Sequence, residues 1–312
     1  MGNDTHTCKN KIILPLLSFL LRKLPIKNGK GRIIDKTFLG SLRFDQETLQ
    51  TSTIYGANIT VFPNDLVGRH IFFTGTFDQS VFECLSAFAG DNPVLWDIGA
   101  NIGYMSVEFL HRFPAARVVA FEPLPDIFNL LRNNIVTPYP DRATAVNAAV
   151  SNCQGSAHIQ RVEHNSGGSH ISDKGDNEIA LVTGNMMLSK APAPTVIKID
   201  VEGHEAQALA GLSDVLANNS LRAVVFEHHT KDLVSQDVSA PLVQEGFKIS
   251  GIWKNISCWG LHDANSTYNK NNFYPTADYA AIRGAIPQNV KILSQAQDSF
   301  FEVEDEACCD VD

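Results

Sequence analysis

The chain of 312 residues is 44% hydrophobic and 19% charged, which suffices for a large buried core and excludes disorder throughout. Its formal charge of -9 opposes a role built on wrapping nucleic acid, because phosphate binding needs clustered Lys and Arg. The cysteines, Cys8, Cys84, Cys153, Cys258, Cys308 and Cys309, include no C-x-x-C pair, so neither a zinc knuckle nor a disulfide framework is indicated and a reducing, cytoplasmic compartment is the simplest.

Residues 12–21 are an apolar run broken by Pro15 and flanked by Lys9, Lys11, Arg22 and Lys23. A bilayer span needs about 20 apolar residues, and the small-residue cleavage site of a signal peptide is missing. A helix packed on the main domain is expected, with a peripheral contact to anionic lipid as the alternative. Residues 43–77 alternate turn residues with β-prone runs such as Ile59-Thr60-Val61-Phe62 and Ile71-Phe72-Phe73-Thr74, and a helix is predicted over 79–89. This gives an N-terminal helix and small β-containing appendage over 1–90, a main domain over 91–290, and an acidic, solvated tail over 291–312.

The chain is organised around residues 94–104, an apolar strand ending at Asp97, a turn carrying Gly99 and Gly103, and an amphipathic segment over 104–113. Glycine lets such a loop bend sharply and lets a ligand approach the backbone. Neither G-x-G-x-x-G nor G-x-x-x-x-G-K-[ST] is present, which argues against a dinucleotide oxidoreductase and a phosphate loop. Asp97 two residues before the first glycine, and Glu122 closing the next apolar run, suit S-adenosylmethionine, with Asp97 near the sulfonium and Glu122 accepting from ribose hydroxyls.

Downstream, strands are predicted over 118–122 and 145–150, with a helix over 125–134 between them. This alternation implies a parallel sheet with helices on both faces and ligands at the carboxyl ends of its strands. Residues 155–193 are less regular, with short strands over 156–162 and 178–182 around a polar loop holding Gly167, Gly168, Ser169 and His170. A second dense stretch is 195–205: a buried strand delivers Asp200 to its end, Glu202, Gly203 and His204 form a turn, and a helix runs to about 217. The next strand, 223–226, delivers Glu227, His228 and His229 to the same rim. Carboxylates and imidazoles from neighbouring strands can then face one pocket and deprotonate an acceptor. His204 is the first candidate base, because imidazole titrates near neutral pH; Asp200 or Glu202 would orient it, and His228 is the second candidate. A magnesium-like ion held by Asp200, Glu202, Glu227 and His228 is an alternative. Residues 253–274, with Trp253, Trp259, His262, Tyr268, Phe273 and Tyr274, are either an acceptor lid or an ordinary surface loop.

Taken together, Asp97-Ile98-Gly99-Ala100-Asn101-Ile102-Gly103, Ala120-Phe121-Glu122-Pro123, Asn147-Ala148-Ala149-Val150-Ser151 and residues 197–205 resemble the FkbM family of S-adenosylmethionine-dependent methyltransferases. The resemblance implies an α/β class I methyltransferase (Rossmann-like) fold, a seven-stranded sheet whose last strand is antiparallel, with 246–247 and 278–283 as its more loosely matched last strands. It implies O-methylation of hydroxyls on sugars of glycans and glycolipids or on natural products, and no required metal. It places Asp97, Gly99, Asn101 and Gly103 around the methionine part of the cofactor, Glu122 on the ribose, Asn147 and Ala148 near the adenine, and Asp200, Glu202 and His204 in the second signature. Residues 185–194 depart from the Thr-Leu-Asp element of many relatives, which bears on acceptor contacts. A catalytically silent cofactor-binding module and a protein or other non-sugar acceptor are the other readings; a nucleic-acid partner is not expected, and the oligomeric state is not legible.

Overall fold

A computed structural model describes residues 4–229, 236–263 and 277–293. The tail from 294 onward, and residues 264–276 of the aromatic segment with Tyr268, Phe273 and Tyr274, lie outside the described residues. The chain begins with α1 (Asp4–Lys23), α2 (Lys30–Asp35) and α3 (Phe38–Ser41). Leu14, Leu17 and Leu21 pack on Ile34, Leu39 and Phe73, and the buried Ser18 hydroxyl donates to the Phe72 carbonyl at 2.8 Å. The apolar run is therefore a helix on the domain, and no described helix is long and apolar enough to cross a membrane.

Strands β1 (Leu49–Ser52) and β2 (Asn58–Val61) pair antiparallel, as the β-prone run there predicts. The second such run is helical instead, within α4 (Leu66–Thr74). The Asp65 side chain accepts from the Val67 amide, Gly75 closes the other end in the left-handed region, and Ile71 and Phe73 are buried. Capping and burial override the β propensity of Ile-Phe-Phe-Thr. The next helix, α5 (Gln79–Ala87), falls where expected.

From Val94 the chain alternates: β3 (Val94–Ile98), α6 (Tyr104–Arg112), β4 (Arg117–Phe121), α7 (Pro125–Ile135), β5 (Ala143–Val146). The predicted strand over 145–150 divides at Asn147. Its second half, β6 (Ala149–Val150), joins β7 (Gly155–Gln160), β8 (His170–Ile171) and β9 (Asn177–Val182) in a separate four-stranded sheet. After α8 (Gly184–Met187) come β10 (Val196–Ile199), the short helices α9 (Glu205–Ala210) and α10 (Ser213–Leu216) in place of one continuous helix, β11 (Ala223–Glu227), α11 (Gln236–Gln244), β12 (Lys248–Lys254), β13 (Trp259–Asp263), β14 (Asp278–Ile282) and β15 (Ile292–Leu293).

The main sheet has the order β15-β13-β12-β14-β11-β10-β3-β4-β5. The run from β12 to β5 contains the seven expected strands, β14 being antiparallel to both neighbours. Alternate residues of one strand serve opposite cores: Leu95 faces one with Val118, Val196 and Ala223, while Trp96 faces the other with Val119, Ile197 and Val224. Both faces are thus covered, as a parallel sheet requires. The extra strand β13 lies between β15 and β12, and its pairing with β12 buries Trp253 and partly buries Trp259. Those two aromatics are structural parts of a hairpin, not of a lid over the site.

Candidate active site

The β3–α6 loop must pass close under the end of β10. Gly99 takes φ +77°, and a Cβ there would run into the carbonyl oxygen of Asp200; Gly103 takes φ +89° and packs on Leu131. Asn101 is also left-handed, at φ +51°, a conformation Asn tolerates better than most. Its side chain donates to the Ser166 hydroxyl at 3.0 Å, tying the loop to the segment before β8. Glu122, at the end of β4, accepts from the Asn101 amide at 3.1 Å and the Leu124 amide at 2.9 Å. Burial pushes the Glu122 carboxyl up to about 7 against the pull of those two amides.

Gly99, Asn101, Glu122 and Ser166 line a pocket of about 920 Å³, its open mouth included. Leu124, Ala148, Ile159 and Ile171 form apolar walls, Ser166, Gly167 and Ser169 close one side, and Lys198, Asp200, Glu202 and His204 stand at another.

The charged rim is organised by Lys198. Its ammonium lies 3.1 Å from Asp200 and 3.8 Å from Asp97 and donates to the Gly99 carbonyl at 3.0 Å. Burial pulls Lys198 down, but Asp200 and Asp97 outweigh it, so it stays charged above its ordinary pKa. Asp97 itself is fully buried, and burial pushes its carboxyl up despite Lys198 and a 2.6 Å bond from the Ser106 hydroxyl. Glu227 is raised to about 9, first by burial and then by Asp200 and Asp278. Glu202, in the left-handed region at φ +48°, is raised by burial and by Asp200. His229 lies 3.2 Å from Glu227 and 3.7 Å from Glu202. The half-buried His204 has its Nε2 3.0 Å from the Ser151 hydroxyl, and burial lowers its pKa.

The structure thus brings Gly99, Asn101, Glu122, Ala148, Asp200, Glu202 and His204 to one pocket. Asp97 and Gly103 stand behind its wall: the first anchors Lys198 and Ser106, the second starts α6. Asn147 is exposed and braces the turn after β4, its amide donating to the Glu122 and Pro123 carbonyls at 2.9 Å. His228 is buried, its amide donating to the Ala277 carbonyl, and it does not line the pocket. His204 is oriented by Ser151 and not by Asp200 or Glu202. The ligand atoms that converge are those of Glu202, Glu227 and His229, within 4.8 Å of one another. Sequence reading passed over Lys198, Asp78 and Ser166. A lysine inside the apolar run Val196-Ile197-Lys198-Ile199 is the signal that was there, since a buried lysine is almost always paired.

A profile of the family described as the methyltransferase FkbM domain matches residues 97–239. The hexuronic acid methyltransferase AglP of Haloferax volcanii is 31% identical over 178 residues, 56% of this chain and 71% of that protein. The chain belongs to the FkbM methyltransferase family. A shorter match, 41% over 44 residues, links it to the methyltransferase sdnD of Sordaria araneosa, covering 14% of this chain and 17% of that one. The crystal structure of a methyltransferase FkbM from Methylobacillus flagellatus aligns with TM-score 0.40 and 17% identity over 61% of this chain and 44% of its own.

S-adenosylmethionine is the cofactor of this methyltransferase, and the pocket suits it. Two of the acceptor sites of Glu122 are taken by backbone amides, and a carboxylate offers about four, so acceptors remain for ribose hydroxyls. The apolar walls at Leu124, Ala148 and Ile171 fit an adenine ring, and the close approach at Gly99 keeps the loop backbone open to the methionine part.

Proposed function

We propose that this methyltransferase O-methylates a hydroxyl of a sugar, in a glycan or glycolipid, or of a natural product. The observation that carries the reading is the rim where Asp200, Glu202 and His204 meet the cofactor pocket. Bound S-adenosylmethionine supplies an electrophilic methyl group. The chain supplies orientation and a destination for the proton that a hydroxyl loses when its oxygen is methylated.

His204 suits the second task, because burial lowers its pKa and keeps the imidazole neutral at neutral pH. Ser151 fixes the ring by engaging Nε2. Asp200, held by Lys198, presents a hydrogen-bond acceptor to a hydroxyl in the pocket. The named activity of the Haloferax volcanii relative on a hexuronic acid supports a sugar acceptor.

The test is methyl transfer from labelled S-adenosylmethionine to neutral sugars, uronic acids, an alcohol-bearing polyketide and a lysine-containing peptide. Label on a sugar or polyketide oxygen is the expected result. Label confined to the peptide, or intact cofactor binding with no transfer to any acceptor, would favour the protein-acceptor or silent-module reading instead.

A further inference from the structure

Beside the cofactor pocket lies a second cleft of about 780 Å³, its mouth included, and the two share Phe77 and Asp78 as a wall. On the cofactor side the lining is net acidic, Asp78, Glu122, Asp200 and Glu202 outnumbering Lys198. The far cleft has the opposite character. Lys27, Lys30, Arg32, His70 and Lys254 line it against Asp35 and Asp78.

Some of that positive charge is matched: His70 lies 2.7 Å from Asp35, and Lys254 lies 3.3 Å from Asp278. Lys27 and Lys30 have no carboxylate partner among the described residues. The Lys30 ammonium is buried, donates to the Arg22 carbonyl at 3.1 Å, and is destabilised by burial and by the Arg22 charge. An anion in the cleft would offset that cost.

The loop is also held in place. Gly29 takes φ +92°, a Cβ at Gly31 would press on the His70 ring, and the Lys27 and Asn28 amides both donate to the Ile256 carbonyl. Because Lys27 sits on this braced loop and Lys30 and Arg32 in the helix α2 that follows it, their charges need little ordering to meet a ligand.

We infer that this cleft binds an anionic group of the acceptor, a carboxylate or a phosphate carried by the sugar, and so turns the hydroxyl to be methylated toward the acidic rim at Asp78 and Asp200. This rests on the sugar-hydroxyl reading above and narrows it to charged sugars.

The experiment is calorimetric titration of the full chain, alone and saturated with S-adenosylhomocysteine, with glucuronate, glucose 1-phosphate and glucose. The wild type is expected to bind one of the two anions at least about tenfold tighter than glucose, the better one naming carboxylate or phosphate. A Lys27→Ala/Arg32→Ala variant should lose about tenfold of that affinity and keep its affinity for S-adenosylhomocysteine. Equal affinity for all three sugars, no binding of either anion, or undiminished anion binding by the variant overturns the assignment. Failure of S-adenosylhomocysteine to bind would instead strike the methyl-transfer reading, and the titrations without it still report on the cleft.

A separate observation at the N-terminus carries a second inference. The first 43 residues hold nine basic and two acidic side chains, a charge of +7, whereas the rest of the chain carries -16. On the outer face of α1, Leu16, Phe19 and Leu20 are 56%, 57% and 53% exposed, with Lys23 stacked over the Phe19 ring at 5.8 Å. The opposite face is already buried on the domain. Apolar side chains beside Lys23, in a basic segment of an otherwise acidic protein, match an anionic bilayer surface. The geometry points to docking of this face on anionic lipid headgroups. Sedimentation with phosphatidylcholine vesicles, with and without phosphatidylserine, should show binding only when phosphatidylserine is present, weakened by salt and abolished by Leu16→Ser/Phe19→Ser/Leu20→Ser. No binding to either vesicle, or an apolar face covered by self-association that the same substitutions abolish, overturns it.

Discussion

His204 begins α9 with its Nε2 against the Ser151 hydroxyl, and burial lowers its pKa. If it takes the acceptor proton, the acid limb of the rate profile falls below the ordinary imidazole value of about 6.5. His204→Ala should then cost about 10² to 10⁴ in turnover and remove that limb, with S-adenosylhomocysteine affinity unchanged. Full turnover across neutral pH in the variant would take the role from His204. Gly99→Ala tests the neighbouring loop. The new methyl would meet the Asp200 carbonyl oxygen at a left-handed φ of +77°, so a loss of about 2 kcal/mol or more in urea unfolding is expected. The placement of Gly99 and Glu122 at the pocket was legible because a glycine and an acid at a strand end carry their chemistry in their spacing. Lys198 was not, because its meaning lies in two carboxylates that come from different strands, Asp97 on β3 and Asp200 after β10.

At the scale of elements, a strap joins the two sheets to α4 beside the pocket. Asp65 caps α4 through the Val67 amide at 3.1 Å, and also accepts from the Ser166 amide at 2.6 Å and the Ser166 hydroxyl at 3.0 Å. Ser166 in turn accepts from Asn101 in the glycine loop. Asp65→Ala should cost about 1 to 2 kcal/mol in denaturant unfolding through the lost cap. It should also weaken S-adenosylhomocysteine binding several-fold by freeing the strap. Asp65→Asn, which keeps a capping oxygen, should recover most of the stability; a variant that loses stability and binds cofactor normally would show the strap to be irrelevant to the pocket. Helices and strands of the central repeat were readable from hydrophobic rhythm. The helix α4 was not, since Ile71-Phe72-Phe73 reads as a strand unless the Asp65 cap is given weight. The aromatics of 253–274 left an acceptor lid and an ordinary surface loop both open, because the hairpin that holds Trp253 and Trp259 shows only once β13 is placed beside β12.

For the whole molecule, the distribution of buried carboxyls sets how stability varies with pH. Burial raises Asp78 to about 6, Glu108 and Glu122 to about 7, and Glu227 to about 9. In an unfolded chain such groups titrate near 4. Between about pH 4 and 9 the folded protein therefore holds protons that the unfolded chain has released. Stability from these groups is fully present below their unfolded pKa and is lost as pH rises through the folded values. His204 opposes the trend, because its lowered pKa makes the fold gain stability as pH rises through the imidazole range, but it is one group against six, since Asp97 and Glu202 are raised as well. The melting temperature of the ligand-free protein should fall between pH 5 and pH 9. Glu227→Gln removes the group that titrates highest, so it should raise the melting temperature by a few degrees at pH 8, about 1 kcal/mol or more, and change it far less at pH 5. Scanning fluorimetry across that range decides the matter. A wild-type midpoint that climbs toward pH 9, or a Glu227→Gln effect of equal size at pH 5 and pH 8, would mean that Glu227 is ionised in the fold.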